Sequence, residues 1–263
     1  MTMGTFYEDS VNKRKVTIAS YPRSGSNWVC YCVERLTDLI IIGSDDSEER
    51  GADITQSNPK AVIHKTHGNG TDFWATFPGE NEGYFLIVRN HKECIVRHRR
   101  IDDQPIPINL VLNDLQGLPL SDQENTDYLA MLELYDLYLG PKMLLYYEDF
   151  IINPKEELLK IVEWYEQFGG KFNKDDIYNF VDNITDHKKK SLDRYVGIHL
   201  GVATDGDPEK LRYQSGPDHR KEHQGKDGNI LPNTCKQIDN HIKNKRPDIY
   251  KKYLKRFEYD GYN

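Results

Sequence analysis

The chain predicts an α/β fold, with a mostly parallel central sheet flanked by helices in three layers. Three observations predict it. Short apolar or β-branched runs alternate with stretches of helical period, the pattern of parallel strands joined by right-handed helical crossovers. A loop of small residues joins the first of those runs directly to a helix, an arrangement suited to binding anions. The length of 263 residues is enough to bury a full core without disulfide staples, and we read 1–263 as one domain whose residues 1–14 form a flexible arm.

The elements follow in order. Lys15–Ser20 (KVTIAS) alternates and is β-branched, which predicts a strand. Tyr21–Asn27 (YPRSGSN) is a turn-rich loop, and the amphipathic run Trp28–Leu39 predicts a helix. Ala61–His64 predicts a second strand, and the strongly apolar Tyr84–Val88 (YFLIV) a third. A helix follows over Asn90–Arg100, then a long irregular segment from Ile101 to about Gln123 of the kind that often forms a functional lid. Asn125–Leu139 places Tyr128, Leu132, Tyr135 and Leu139 on one helical face. Met143–Tyr147 predicts a fourth strand, and Asn153-Pro154 opens a helix to about Phe168, with Pro near its start. Val196–Leu231 shows little periodicity, and Pro232–Phe257 predicts two basic-faced helices broken before Pro247.

Composition removes several function classes. Lys and Arg total 35 against 42 Asp and Glu, a net charge of −7, which argues against nucleic acid as the partner. A small anionic ligand held by a few local cations stays open. No run approaches the ~18 apolar residues that span a bilayer, so no membrane partner is expected, and polar Met1–Lys15 lacks the pattern of a secretory signal. Cys30, Cys32, Cys94 and Cys235 form no CxxC pair and show no zinc spacing with His. No metal is expected, and the plain reading is a reduced, cytoplasmic protein.

The most informative stretch is Tyr21-Pro22-Arg23-Ser24-Gly25-Ser26-Asn27-Trp28. Strand, small-residue loop and helix start make an anion site from backbone N–H groups and about half a positive charge at the helix end. Gly25 allows close approach of an oxyanion, Ser24, Ser26 and Asn27 add short polar groups, and Arg23 adds a fixed cation with five donors. A Walker loop would need Lys and Ser/Thr after the second glycine. Ser26 and Asn27 follow Gly25 instead, which disfavours a kinase or other ATP-hydrolysing reading. Taken alone, these residues stop at an α/β domain that binds a small phosphorylated ligand.

With its neighbours in order, the loop resembles that of the cytosolic-type sulfotransferases, a P-loop-like nucleotide-binding architecture that uses 3′-phosphoadenosine 5′-phosphosulfate (PAPS) and releases the bisphosphate PAP. Their Tyr-Pro-Lys-Ser-Gly-Thr-Thr-Trp is matched at Pro22, Ser24, Gly25 and Trp28, with Arg23 for Lys. The resemblance implies that this loop holds the 5′-phosphosulfate and that Trp28 packs on adenine. Lys65-Thr66-His67 matches the family's Lys-Thr-His, implying His67 as general base and Lys65 as a stabiliser of the transferring group. Arg89-Asn90 matches its 3′-phosphate arginine. The helper serine eight positions later is Arg97 here, which either takes over that contact or belongs to a solvated basic face with His98, Arg99 and Arg100. Tyr147 of Tyr-Glu-Asp would contact adenine, or simply end a buried strand. Arg220, Lys221 and Gly225 match a late segment that closes over the 3′-phosphate, although Glu222 stands where Gly is usual.

The resemblance implies sulfuryl transfer to a hydroxyl or amine of a small acceptor, without a metal. Residues 68–74, 101–123 and 196–217 would wall the acceptor pocket, and their Asp, Asn and Gln content points to a polar acceptor. A P-loop-type small-molecule kinase, or an inactive module that binds PAP or PAPS, are the competing readings.

Overall fold

Why these residues make strands is clearest in Gly83–Val88. GYFLIV has no polar alternation and every residue is buried, as expected for a parallel strand covered on both faces. In the computed structural model five strands are found among the described residues: β1 (Val16–Ser20), β2 (Ile40–Gly43), β3 (Ala61–Thr66), β4 (Gly83–Val88) and β5 (Lys142–Tyr146). The structure describes residues 15–37, 39–43, 61–68, 78–79, 82–99, 107–119, 126–199 and 232–258. The helices are α1 (Ser26–Thr37), α2 (His91–Arg99), α3 (Ile108–Asn113), α4 (Tyr128–Leu137), α5 (Tyr147–Ile152), α6 (Pro154–Glu166), α7 (Lys174–Asp182), α8 (Ile184–His199) and α9 (Pro232–Lys245). A last helical run begins at Pro247–Ile249 and passes through a π-helical turn, Tyr250–Leu254.

Two compact units, interleaved in sequence, divide the chain. One contains Val16–Gly25, Thr66–Tyr147 and the C-terminal helices; the other contains Ser26–Lys65 and the helices that follow Glu148.

In the first unit β4 pairs in parallel with β1 on one side and β5 on the other, Phe85 facing Ile18 and Met143. Tyr84, Leu86 and Val88 alternate onto one face, as period two requires. They belong to a core with Leu129 and Leu132 of α4, Ile238 and Ile242 of α9, and Leu254. Tyr84 meets the Tyr138 ring edge-on at 5.6 Å. The C-terminal helices are tied to α2 by a buried ion pair, in which Lys92 Nζ donates to both oxygens of Asp239, at 2.9 and 3.0 Å. Lys92 also donates to the Phe257 carbonyl.

Helix α4 starts where Asp127 accepts a 2.8 Å hydrogen bond from the Ala130 N–H, an N-cap. The same carboxylate accepts from Gln116 and Gly117 N–H, so one side chain both opens a helix and fixes the preceding turn.

In the second unit β2 and β3 pair in parallel, Ile41 facing Ile63 and Ile42 facing His64, with an irregularity between Ile40 and Ile41. Helix α1 buries Trp28, Val29, Tyr31, Cys32, Val33 and Leu36. The Trp28 ring stacks near Tyr31 (5.7 Å) and Phe180 (6.1 Å), and the Phe180 and His187 rings stack at 3.9 Å.

The α/β class with parallel strands holds. Three details differ from the sequence expectations. Strand β2 was not expected, because Leu39–Ile42 continues the apolar run of the helix before it and a short apolar run carries no period of its own. Ile108–Asn113 forms a short helix inside the segment expected to be irregular. Helices α7 and α8 were not expected either, although Asn173 caps α7 by accepting from the Asp175 N–H. All four cysteines are buried free thiols.

Candidate functional site

Strand β1 ends at Ser20, and the next five residues turn sharply before α1. The Ser24 N–H donates to the Tyr21 carbonyl at 3.2 Å. Arg23 and Gly25 both have positive φ, +69° and +82°. For Gly25 that conformation is free; for Arg23 it costs roughly 1–2 kcal/mol. Such turns curl backbone N–H groups toward a common side, and the dipole of a following helix adds positive potential. Arg23 itself is exposed, whereas Ser24 is fully buried. The Ser24 hydroxyl lies 3.5 Å from the Cys94 thiol.

The loop is braced from behind by contacts that the sequence did not reveal. The Tyr21 hydroxyl donates to Asp114 Oδ2 at 2.5 Å, and Arg99 donates to both oxygens of the same carboxylate. Asp114 is fully buried and Tyr21 almost so. Burial, then the Asp114 charge, pushes the Tyr21 phenol far above its ordinary range, so it serves as a neutral donor. Tyr147 packs against Gly25 so closely that a methyl group there would lie 2.6 Å from Tyr147 Cδ2 and Cζ.

Arg89 emerges from the end of β4. Its Nη1 donates to the Arg23 carbonyl at 3.2 Å and its Nη2 to Glu93 Oε2 at 2.8 Å, and its guanidinium lies 5.1 Å from the centre of the Tyr147 ring. Its own carbonyl accepts from the Tyr128 hydroxyl. Arg97, one α2 turn beyond Glu93, approaches the same Glu93 oxygen at 3.6 Å with a side chain only 9% exposed. Of the two readings of Arg97, the solvated basic face does not fit: Arg97 is packed, and Arg99 is engaged with Asp114. His91 and Lys92 are buried as well.

His67 follows β3. Its Nδ1 lies 2.9 Å from the Ser20 carbonyl oxygen and 3.3 Å from the Ser20 hydroxyl. A carbonyl only accepts, so the neutral imidazole carries its proton on Nδ1 and its lone pair on Nε2. The Gly68 N–H donates to Thr66 Oγ1 at 3.0 Å, fixing the turn in which the imidazole sits.

In the second unit the buried Lys65 side chain donates to Asn27 Oδ1 at 2.9 Å. Ser26 is buried and Asn27 exposed at the start of α1. Trp28 is 8% exposed within its aromatic cluster, and its Nε1 is buried without a hydrogen-bond partner. Arg220, Lys221 and Gly225 lie outside the described residues, as do most of the expected acceptor walls.

The structure thus brings Arg23, Gly25, Arg89 and Tyr147 together at one braced loop, links Arg97 to Arg89 through Glu93, and sets His67 against Ser20 at the end of the strand that feeds the loop; in the second unit it joins Lys65 to Asn27. Glu93, Tyr21, Asp114 and Arg99 complete the arrangement. Among the described residues no group of three or more His, Cys, Asp or Glu could hold a metal ion, and no helix is long and apolar enough to cross a membrane.

No family model matches the chain. Among solved structures it is similar to mouse sulfotransferase SULT7A1 complexed with PAP, with a TM-score of 0.53 and 14% sequence identity, covering 93% of this chain and 90% of that one. At that identity the likeness is one of fold.

Proposed function

We propose that the chain is a sulfotransferase that moves a sulfuryl group from PAPS to a hydroxyl or amine of a small, polar acceptor in the cytoplasm. The observation that carries this reading is the His67–Ser20 hydrogen bond. It fixes the tautomer of an imidazole that borders an anion-binding loop, and gives it a basic nitrogen on the side away from the strand. The PAP-bound fold relative and the ordered motif matches support the same reading.

The residues present suit such a donor. The left-handed turn at Arg23 and Gly25 offers backbone N–H groups to the 5′-phosphosulfate, with Ser24 inside it and Ser26 and Asn27 next in sequence, and Arg89 and Arg97 offer guanidinium groups to the 3′-phosphate. Tyr147 supplies aromatic surface at the loop; the motif match assigns adenine packing to Trp28, whose ring is largely covered by Tyr31 and Phe180. Arg220, Lys221 and Gly225 would add cations and a close backbone approach at the 3′-phosphate. When bound, PAPS contributes a sulfuryl group on a phosphate leaving group.

His67 Nε2 accepts the proton of the acceptor group as that atom bonds to sulfur and the bond between sulfur and the phosphate oxygen breaks. Arg23 stabilises the charge spread over the sulfuryl and bridging oxygens, a role the motif match also assigns to Lys65. A guanidinium does not give up its proton, so the role of Arg23 is electrostatic. His tautomer control by a backbone acceptor is a recurring way to hold a base ready at neutral pH.

The test uses sulfur-labelled donor and a panel of hydroxyl and amine acceptors, with and without chelator. Transfer should be insensitive to chelator. His67→Ala should lower the rate by on the order of 100-fold or more while PAP still binds. A variant with near-normal turnover would remove His67 from the reaction, and donor binding with no transfer to any acceptor would leave a binding module.

A further inference from the structure

We infer that Glu93 is an internal substitute for a phosphomonoester: it is the counter-ion that a 3′-phosphate must displace from Arg89 and Arg97, and it thereby sets how strongly the site discriminates nucleotides that carry that group. The inference rests on the donor-binding reading above and gives a role to a residue to which neither the loop nor the motif matches assign one.

Residues 89, 93 and 97 are spaced four apart, which stacks them along one side of α2 and the turn leading into it. Both guanidiniums converge on one atom, Glu93 Oε2, at 2.8 Å from Arg89 and 3.6 Å from Arg97. The exposures are unequal in an informative way. The Arg89 and Arg97 side chains are 16% and 9% exposed, and Glu93 is 37% exposed. The cations are therefore embedded, while the anion between them lies on the open side.

Arg89 is held independently of the carboxylate. It donates to the Arg23 carbonyl, and its guanidinium lies over the Tyr147 ring. If Glu93 swings into solvent, Arg89 stays. Glu93 also has somewhere to go, since a carboxylate in the first turn of α2 keeps a favourable interaction with the helix N-terminus after it leaves the pair.

Charge supplies the direction of exchange. Glu93 brings a single negative charge to the two guanidiniums. A phosphomonoester carries between −1.5 and −2 near pH 7 and offers three acceptor oxygens, so it satisfies both arginines through charge-assisted hydrogen bonds where Glu93 offers one shared oxygen. A nucleotide without that phosphate leaves the three side chains as they are. The carboxylate thus keeps the arginine pair from attracting other anions, and sets the affinity for the right one below what the two arginines alone would give.

The experiment is isothermal calorimetry on the full chain, wild type and Glu93→Gln, with PAP, adenosine 5′-monophosphate and inorganic phosphate as probes. Gln retains an acceptor for the guanidiniums and removes the charge. We expect Glu93→Gln to bind PAP about tenfold more tightly, equivalent to ~1.4 kcal/mol, with adenosine 5′-monophosphate affinity changed by less than about twofold. Adding Arg97→Ala to Glu93→Gln should abolish the gain. Unchanged or weaker PAP binding in Glu93→Gln would overturn the inference, as would an equal gain for the monophosphate. A gain for inorganic phosphate as large as that for PAP would show a free-anion site and overturn it too. The donor reading fails separately, if wild type binds neither nucleotide; melting temperatures of the variants check that the fold is intact.

Discussion

Replacing Gly25 with alanine is the sharpest structural perturbation of the loop, because two independent costs meet at one atom. The backbone at Gly25 has φ +82°, a conformation that charges an L-residue roughly 1–2 kcal/mol. The added methyl group would also lie 2.6 Å from two carbons of the Tyr147 ring. Tyr147 Cε2 would be closer still, and ordinary carbon contacts begin near ~3.5 Å, so the ring must retreat by more than about 1 Å. The ring cannot retreat by moving the main chain, since Tyr147 directly continues β5, which is paired with β4 up to Tyr146. Overpacking of this kind costs about 1–3 kcal/mol. The sum is about 2–5 kcal/mol, or a fall in Tm of roughly 5–15 °C for a chain of this size. A double-mutant cycle with Tyr147→Ala separates the two parts. Removing the ring abolishes the overpacking share and leaves the dihedral strain, so the cycle should show a coupling of about 1–3 kcal/mol. Additivity within about 0.5 kcal/mol, measured by urea unfolding, would refute the close approach of ring and loop.

Three further outcomes follow from the same geometry. Burial pulls His91 down from 6.5 to about 4, against the opposing contact with Asp239 and with Lys92 adding to the fall. Between those values the unfolded chain holds the extra proton, so His91 makes stability rise with pH across about 4 to 6.5, by roughly 3 kcal/mol, and level off above; urea midpoints at pH 4.5 and 7 for wild type and His91→Gln should show this dependence shrinking in the variant. Tyr21→Phe removes a buried donor from Asp114 and should cost on the order of 1–2 kcal/mol in thermal unfolding, whereas no loss would mean that Arg99 alone satisfies that carboxylate. Arg23→Gly releases left-handed strain while adding backbone entropy to the unfolded chain, two effects that nearly cancel. Its melting temperature should therefore stay close to wild type while turnover falls by about 100-fold, and a variant with both intact would contradict the electrostatic role.

The parts of the fold that were legible are those whose sequence has only one physical reading. Tyr84–Val88 is too short for a typical helix and rich in aromatic and β-branched residues, which favours a covered strand, and Pro247 interrupts the C-terminal helices. Ile40–Gly43 was not legible because three isoleucines after a helix are equally good as its last turn. The site divides in the same way. The strand, loop and helix start around Gly25 were visible as a local pattern, and Arg89 and His67 were visible as residues at strand ends. Arg97 was ambiguous, because a cluster of basic residues on a helix reads as a solvated face until Glu93 and the packing around it are in place. Tyr21 with Asp114, 93 residues apart, and Gly25 with Tyr147 are tertiary relations that no local period encodes.

The left-handed backbone at Arg23, clasped through its carbonyl by Arg89, has a consequence for the kinetics of recognition. A loop that already stores its strain before any guest arrives spends none of the guest's binding energy on bending. Encounter should then be limited by diffusion and long-range attraction, and selectivity among guests should be expressed in how long each one stays.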